Sequence, residues 1–140
     1  MDEQLLEIRD HDGEGYQPLV DFGTWRVAIL RFLDTLQARR QGTMERHMET
    51  DEVFVLTKGK GVLIMGGNAA QITGIYPQAM EIGKIYNIKR SAWHTVLLSR
   101  DASVLIVENR DTDQHNSEYA DLSADQRQLI VDIARREQFQ

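Results

Sequence analysis

Four side chains with metal-ligand chemistry stand out in this 140-residue chain: Glu45, His47, Glu52 and His94. Glu45 and His47 are two residues apart, so on an extended strand they point to the same face. The pattern His47-x4-Glu52-x6-Gly59 runs from a charged strand through a turn to Thr57-Lys58-Gly59-Lys60-Gly61, and Gly83-x10-His94 closes on the apolar run Thr95-Val96-Leu97-Leu98. A histidine or carboxylate among apolar residues costs desolvation energy unless it is paired or bound to a metal. Two neutral imidazoles and two carboxylates suit Mn, Fe, Ni or Zn better than Ca or Mg. Without Glu45, the trio His47, Glu52 and His94 is still a two-His-one-carboxylate set with open positions, suited to Lewis-acid or oxygen chemistry. The competing reading is a hydrogen-bonded polar cluster, with His47 paired to Glu45 or Glu49 and His94 a satisfied core histidine. The joint spacing of the four favours the ion.

These residues need strands to position them. Trp25 to Leu33 reads as the first long strand, and apolar runs follow at Val53–Leu56, Val62–Met65, Ile85–Ile88, Thr95–Leu98 and Val104–Val107. Turn signals separate them at Lys58-Gly59-Lys60-Gly61, Gly66-Gly67-Asn68, Tyr76-Pro77 and Ser99-Arg100-Asp101. Many short strands divided in this way predict an all-β barrel or sandwich. With Glu52 facing inward, alternation sends Phe54 and Leu56 inward too; from His94 it sends Val96 and Leu98 inward and Trp93 outward.

Residues 1–22, punctuated by Gly13, Gly15 and Pro18, are expected to form an N-terminal arm with a short strand near Leu5 to Ile8. Residues 23–110 are the barrel, and 111–140 a polar linker followed by a helix. Ser123 and Gln126 have capping-box spacing, Asp125 suits the first turn, and Leu129, Ile130, Ile133 and Ala134 form one apolar stripe. Three strands, Val53-Phe54-Val55-Leu56, Val62-Leu63-Ile64-Met65 and Val104-Leu105-Ile106-Val107, are apolar at both parities and so should be covered on both sides. One helix is a limited cover for three strands, and a homodimer is the expectation.

Composition narrows the function classes. Hydrophobic residues make up 41% and charged residues 27%, ordinary for one globular domain. A net charge of −6 with no basic run argues against nucleic acid and against an anionic membrane surface. The absence of cysteine removes disulfides and thiolate chemistry. The acidic start Met1-Asp2-Glu3-Gln4 and the lack of an apolar segment approaching ~20 residues lead to the expectation of a cytoplasmic protein with no membrane contact. Neither a phosphate loop, a dinucleotide fingerprint nor a Gly-x-Ser-x-Gly elbow occurs. Of the other polar and aromatic candidates, Trp25 and Tyr86 could line a barrel mouth and Arg31 could meet an anionic substrate. His11 and His115 read as solvated, and Glu49 as a base near the site.

The two segments resemble the two motifs of the cupin superfamily, G-x5-H-x-H-x3-4-E-x6-G and G-x5-P-x-G-x2-H-x3-N. The first is matched at His47, Glu52 and Gly59, with Glu45 where the first histidine stands and Arg39 in place of the upstream glycine. In the second, Gly83 and His94 match, while Lys89, Ser91 and Leu98 replace the proline, glycine and asparagine. Placing His47 first instead would put the glutamate position on Val53 or Phe54, neither of which binds a metal. The resemblance covers roughly residues 23–110 and implies a double-stranded β-helix (jelly-roll) barrel with the added C-terminal helix. It also implies a divalent transition metal (Mn, Fe, Ni or Zn) held by Glu45, His47, Glu52 and His94, and a small polar ligand such as a sugar or keto acid. The superfamily's activities are diverse, so isomerase or epimerase, dioxygenase, non-enzymatic ligand binding and a purely structural dimeric barrel all stay open.

Overall fold

In the computed structural model, which describes residues 1–139, ten strands form two five-stranded antiparallel sheets, followed by one α-helix. The strands are β1 (Gly15–Phe22), β2 (Trp25–Arg31), β3 (Thr43–His47), β4 (Glu52–Lys58), β5 (Gly61–Met65), β6 (Tyr76–Ala79), β7 (Tyr86–Ile88), β8 (His94–Leu98), β9 (Ser103–Asn109) and β10 (Ser117–Asp121); the helix is α1 (Ala124–Arg136). One sheet has the order β1-β2-β9-β4-β7 and the other β10-β3-β8-β5-β6. No helix among the described residues is long and apolar enough to cross a membrane.

Alternation divides each sheet into an inner and an outer face. The inner faces of both sheets meet in one core, with Ala28, Phe54, Leu56, Val104 and Ile106 from the first sheet against Leu63, Val96 and Leu98 from the second. Outside the second sheet, Ile130, Ile133 and Ala134 of α1 pack on Met44, Val62, Ile64, Trp93 and Leu97. This explains why the β5 run is apolar at both parities and why Trp93 points outward yet is only 2% exposed. The helix starts on the expected capping box. The Gln126 N–H donates to Ser123 Oγ at 3.1 Å, and the Ser123 N–H donates to Gln126 Oε1 at 2.9 Å. Leu129, expected in the apolar stripe, is instead about half exposed.

Among the described residues, no α-helix covers the first sheet. Its strand register stacks Val27, Val107 and Val53 in one row and Ile29, Leu105 and Val55 in the next, all on the outer face and all half-buried. Val20, Phe22 and Trp25 extend the same face toward the edge. The only α-helix among the described residues lies on the other sheet.

Three strands lie where the sequence suggested an arm, a turn and a linker. The arm expected over residues 1–22 stops at Glu14, and β1 is part of the first sheet. No strand forms near Leu5 to Ile8, whose apolar side chains are exposed. The Tyr76-Pro77 turn signal is inside β6, and β10 occupies part of the expected linker, paired along β3. All three are edge strands. An edge strand keeps one side free of the hydrogen-bond ladder, so Pro18 and Pro77 are tolerated there, and a register shift follows Pro18.

Left-handed backbone occurs in the turn after β4 and in the one that leads into His94. Gly59, between β4 and β5, has φ +76°, and a Cβ there would fall 2.6 Å from the Ala102 backbone, so only glycine fits. Before β8, the Ala92 N–H donates to Lys89 O at 3.1 Å and Ser91 takes φ +70°. Ser91 stands where the cupin motif has glycine, in the left-handed region that disfavours a Cβ. Replacing Ser91 with Gly should therefore raise stability by roughly 0.5–1 kcal/mol, after allowing for the greater entropy of unfolded glycine. Denaturant unfolding measures this, and an unchanged or lower midpoint would show that the turn carries no strain.

Candidate metal centre

The site forms where the two sheets face each other. His47 ends β3, Glu52 begins β4 and His94 begins β8, so each lies at a strand terminus beside a turn. β3 and β8 pair with Glu45 opposite His94. The turn after β3 and the turn before β8 are joined directly: the Ser91 N–H donates to His47 O at 2.8 Å, and the Arg90 N–H donates to Asp51 Oδ1 at 2.8 Å. Asp51 also accepts from Asn87 Nδ2 at 3.1 Å, and these hydrogen bonds hold its carboxyl below the usual range.

His47, Glu52 and His94 converge. The Nε2 of His94 is 3.1 Å, and that of His47 3.3 Å, from the same oxygen, Glu52 Oε1. The two rings lie edge to face with centroids 5.4 Å apart. Each ring is fixed through its other nitrogen. His94 Nδ1–H donates to Ala92 O at 2.9 Å, and His47 Nδ1 shares a hydrogen bond of 2.8 Å with Ser117 Oγ, the residue opposite it on β10. A hydrogen bond at one ring nitrogen sets the ring's orientation and leaves the other nitrogen free to act as a ligand. His47 Nε2 is buried and has no hydrogen-bond partner of acceptable geometry. A divalent ion would satisfy it together with the Glu52 carboxylate, so the residues present fit such an ion.

Glu45 sits apart from this trio. Its Oε1 is 3.9 Å from both Nε2 atoms, and its side chain is 41% exposed. Ligand atoms within 4.8 Å of one another fall into two triplets that share His47: Glu45–His47–His94 and His47–Glu52–Glu108. The four residues predicted from the sequence thus line one cavity but do not form one compact set.

The second triplet contains a residue the sequence reading did not reach. Val53 pairs with Val107, so the antiparallel register sets Glu52 of β4 beside Glu108 of β9. Glu108 Oε1 accepts from the Tyr16 hydroxyl, from Arg26 Nε at 3.2 Å and from Arg26 Nη2 at 2.9 Å. Arg26 in turn donates to Arg110 O and Thr112 O. The available signal was parity: Val104 and Ile106 face inward, and Glu108 continues that face beyond the apolar run. Other candidates lie elsewhere. Trp25 is on the outer sheet face, Tyr86 and Arg31 do not line the cavity, and Glu49 accepts from Asn116. The tyrosines at the mouth are Tyr16 and Tyr119, which with Arg26 and the ligand residues surround a cavity of about 340 Å³.

Charge follows from this packing. Burial alone would lower both imidazoles, but the Glu52 carboxylate close beside them and its charge outweigh it, and both are raised above the ordinary 6.5. Burial would raise Glu52, yet the neighbouring His47, His94 and Glu108 side chains hold it well below the carboxylate range. Glu108 is pushed up to about 7 from 4.5, by burial and then by the adjacent Glu52 carboxylate and its charge.

Three groups therefore hold protons in the folded chain more tightly than in the unfolded one. Stability they supply is present at acid pH and is lost as pH rises from about 4.5 through and beyond 7. Glu52 acts in the opposite sense, but only below its ordinary 4.5. Chelator-stripped protein should show a melting temperature that falls between about pH 5.5 and about pH 8.5, and Glu108→Gln should flatten that fall. A melting temperature that is constant or rises over this range would refute the charge assignment.

No family model matches the sequence, and no curated protein does. Solved structures match by shape. CapF, the capsular polysaccharide assembling protein of Staphylococcus aureus, is 19% identical over 81% of this chain and 31% of its own, with a TM-score of 0.54. Pac13 of Streptomyces, a nucleoside dehydratase, is 6% identical over 81% of this chain and 85% of its own, with a TM-score of 0.52. A cupin-2 domain protein of Shewanella frigidimarina is 16% identical over 74% of this chain and 85% of its own, with a TM-score of 0.48. At such identities the likeness is one of fold. The chain has a small two-sheet β-barrel fold that it shares with Pac13 and with the matched part of CapF.

Proposed function

We propose that this protein is a metal-dependent isomerase or epimerase acting on a small polar molecule with a hydroxyl beside a carbonyl, such as a sugar or keto acid. The observation that carries this reading is the convergence of two ring-fixed imidazoles on one buried carboxylate oxygen, inside a cavity of about 340 Å³. That volume is at the lower end of the range for small-molecule sites. His47, Glu52 and His94 would hold Mn, Fe, Ni or Zn, with Glu45 on the open side of the histidine pair. A bound divalent ion supplies Lewis acidity, polarising a carbonyl oxygen and acidifying the adjacent C–H. The chain's own groups do the rest. Glu45 stands at the mouth, where a carboxylate can take a proton from a bound substrate. Tyr119, more than half exposed on the same rim, can orient a polar ligand through its hydroxyl. Substrate class is argued from the cavity, because a shared fold does not carry an activity with it.

The test is solvent deuterium exchange, followed by proton NMR, on a panel of hydroxy-aldehydes, ketoses and 2-keto acids with metal-loaded protein. The expected result is deuterium at the carbon next to the carbonyl of at least one class, reduced by at least about 100-fold in His94→Ala, the upper end of what losing even an outer-shell partner costs. Ligand binding without exchange anywhere in the panel would reject the enzymatic reading in favour of a binding module.

We also propose that two copies pair through the outer face of the first sheet. Support comes from its two apolar rows, Val27–Val107–Val53 and Ile29–Leu105–Val55, continued by exposed Phe22 and Trp25. The two central rows carry no charge, and contiguous apolar surface of this kind marks interfaces, which in homo-oligomers are most often two-fold. Light scattering on the wild type should give twice the 16.1 kDa chain mass, and Val55→Glu with Leu105→Glu should return it to the single-chain value. A monomeric wild type would overturn the pairing.

A further inference from the structure

We propose that Glu108 is itself a ligand of the ion, through Oε2, joining His47, Glu52 and His94, so that the inner triplet His47–Glu52–Glu108 supplies what Glu45 would otherwise supply and Glu45 is dispensable for holding the ion. This deepens the metal-dependent reading and rests on it. The two triplets differ in ways that bear on where a cation is needed. The outer one is closed by Glu45, whose side chain is 41% exposed and can be neutralised by water. The inner one brings together two carboxylates whose side chains are only 6% and 3% exposed. Adjacent buried carboxylates repel one another strongly unless a proton or a cation lies between them.

The hydrogen bonds on Glu108 are one-sided. Tyr16 and both Arg26 nitrogens donate to Oε1, and among the described residues no N–H or O–H donates to Oε2. An arginine that serves only as an ion-pair partner commonly meets a carboxylate fork to fork, one nitrogen on each oxygen. Here both nitrogens meet the same oxygen, and Arg26 is itself pinned by the Arg110 and Thr112 carbonyls at 2.9 and 2.7 Å. Such an arrangement orients a carboxylate and leaves its other oxygen for a ligand role, as outer-shell partners do at metal centres. The third member supplies an independent sign: His47 is 7% exposed, and its Nε2 faces the triplet with no hydrogen-bond partner. Glu108 thus compensates, from the opposite sheet, for the histidine that Glu45 replaces in the motif.

Zinc titration calorimetry on chelator-stripped wild type, Glu45→Gln, Glu108→Gln and the double variant His47→Ala/His94→Ala separates the possibilities. Glu108→Gln should weaken zinc binding by more than the roughly 10–100-fold that losing an outer-shell partner costs, and Glu45→Gln by less than about tenfold. A zinc-soaked crystal of the wild type should place the ion about 2.0–2.2 Å from Glu108 Oε2. The reverse ranking, or an ion bonded to Glu45 and not to Glu108, would overturn this inference and leave the metal-dependent reading intact. A wild type that binds zinc no better than the double variant would instead defeat that reading. Should Glu108→Gln fail to fold, the crystal alone decides between the two positions.

Discussion

The Glu52 carboxylate is where the molecule's two sheets meet chemically. It begins a strand of one sheet, and the two imidazoles that reach its Oε1 come from strands of the other. The flanking turns are tied together, Ser91 to the His47 carbonyl and Arg90 to the Asp51 side chain. Below it, Phe54 and Leu56 on one side and Val96 and Leu98 on the other close the barrel, fixing how near the polar groups can come. A carboxylate 5% exposed in such a place would be strongly unfavourable alone. The surrounding donors turn it into an organising centre.

The same logic explains the layers around the centre. Each histidine gives its Nδ1 to the scaffold and its Nε2 to the interior. Glu108 gives one oxygen, Oε1, to both Tyr16 and Arg26. Tyr16 comes from β1 and Ser117 from β10, both edge strands. The edges of the barrel therefore serve the site as well as the fold. Charge is drawn to the interior from every side of the cavity, and rigid hydrogen bonds on the outer atoms leave the inner atoms free for a ligand.

Much of this was legible in the sequence, and the parts that were not share a physical cause. The central strands declared themselves through apolar runs, and the helix through Ser123, Gln126 and its stripe. His47, Glu52 and His94 were found because their spacing matches a known pair of motifs, and parity correctly turned Trp93 outward. What escaped was edge structure. β1, β6 and β10 carry mostly exposed residues and two prolines, so they show neither alternation nor a continuous apolar run. Glu108 and Arg26 escaped for a different reason. Both are charged residues that follow the inner parity of apolar strands, and only the register of β2, β9 and β4 reveals that they reach the same cavity as Glu52. Glu45 was legible as a neighbour of the histidines, but its exposure and its 3.9 Å separation depend on the turn of β3 against β8.

The cupin-like barrel accommodates many chemistries, so the account depends on whether this cavity holds an ion at all. The most direct measurement is metal content by mass spectrometry on untagged protein purified without chelator, beside His47→Ala/His94→Ala. The account predicts about one transition-metal ion per chain in the wild type and none above background in the variant. No metal in either protein, even after incubation with Mn, Fe, Ni and Zn, would contradict it and make the convergence on Glu52 an internal ion-pair cluster.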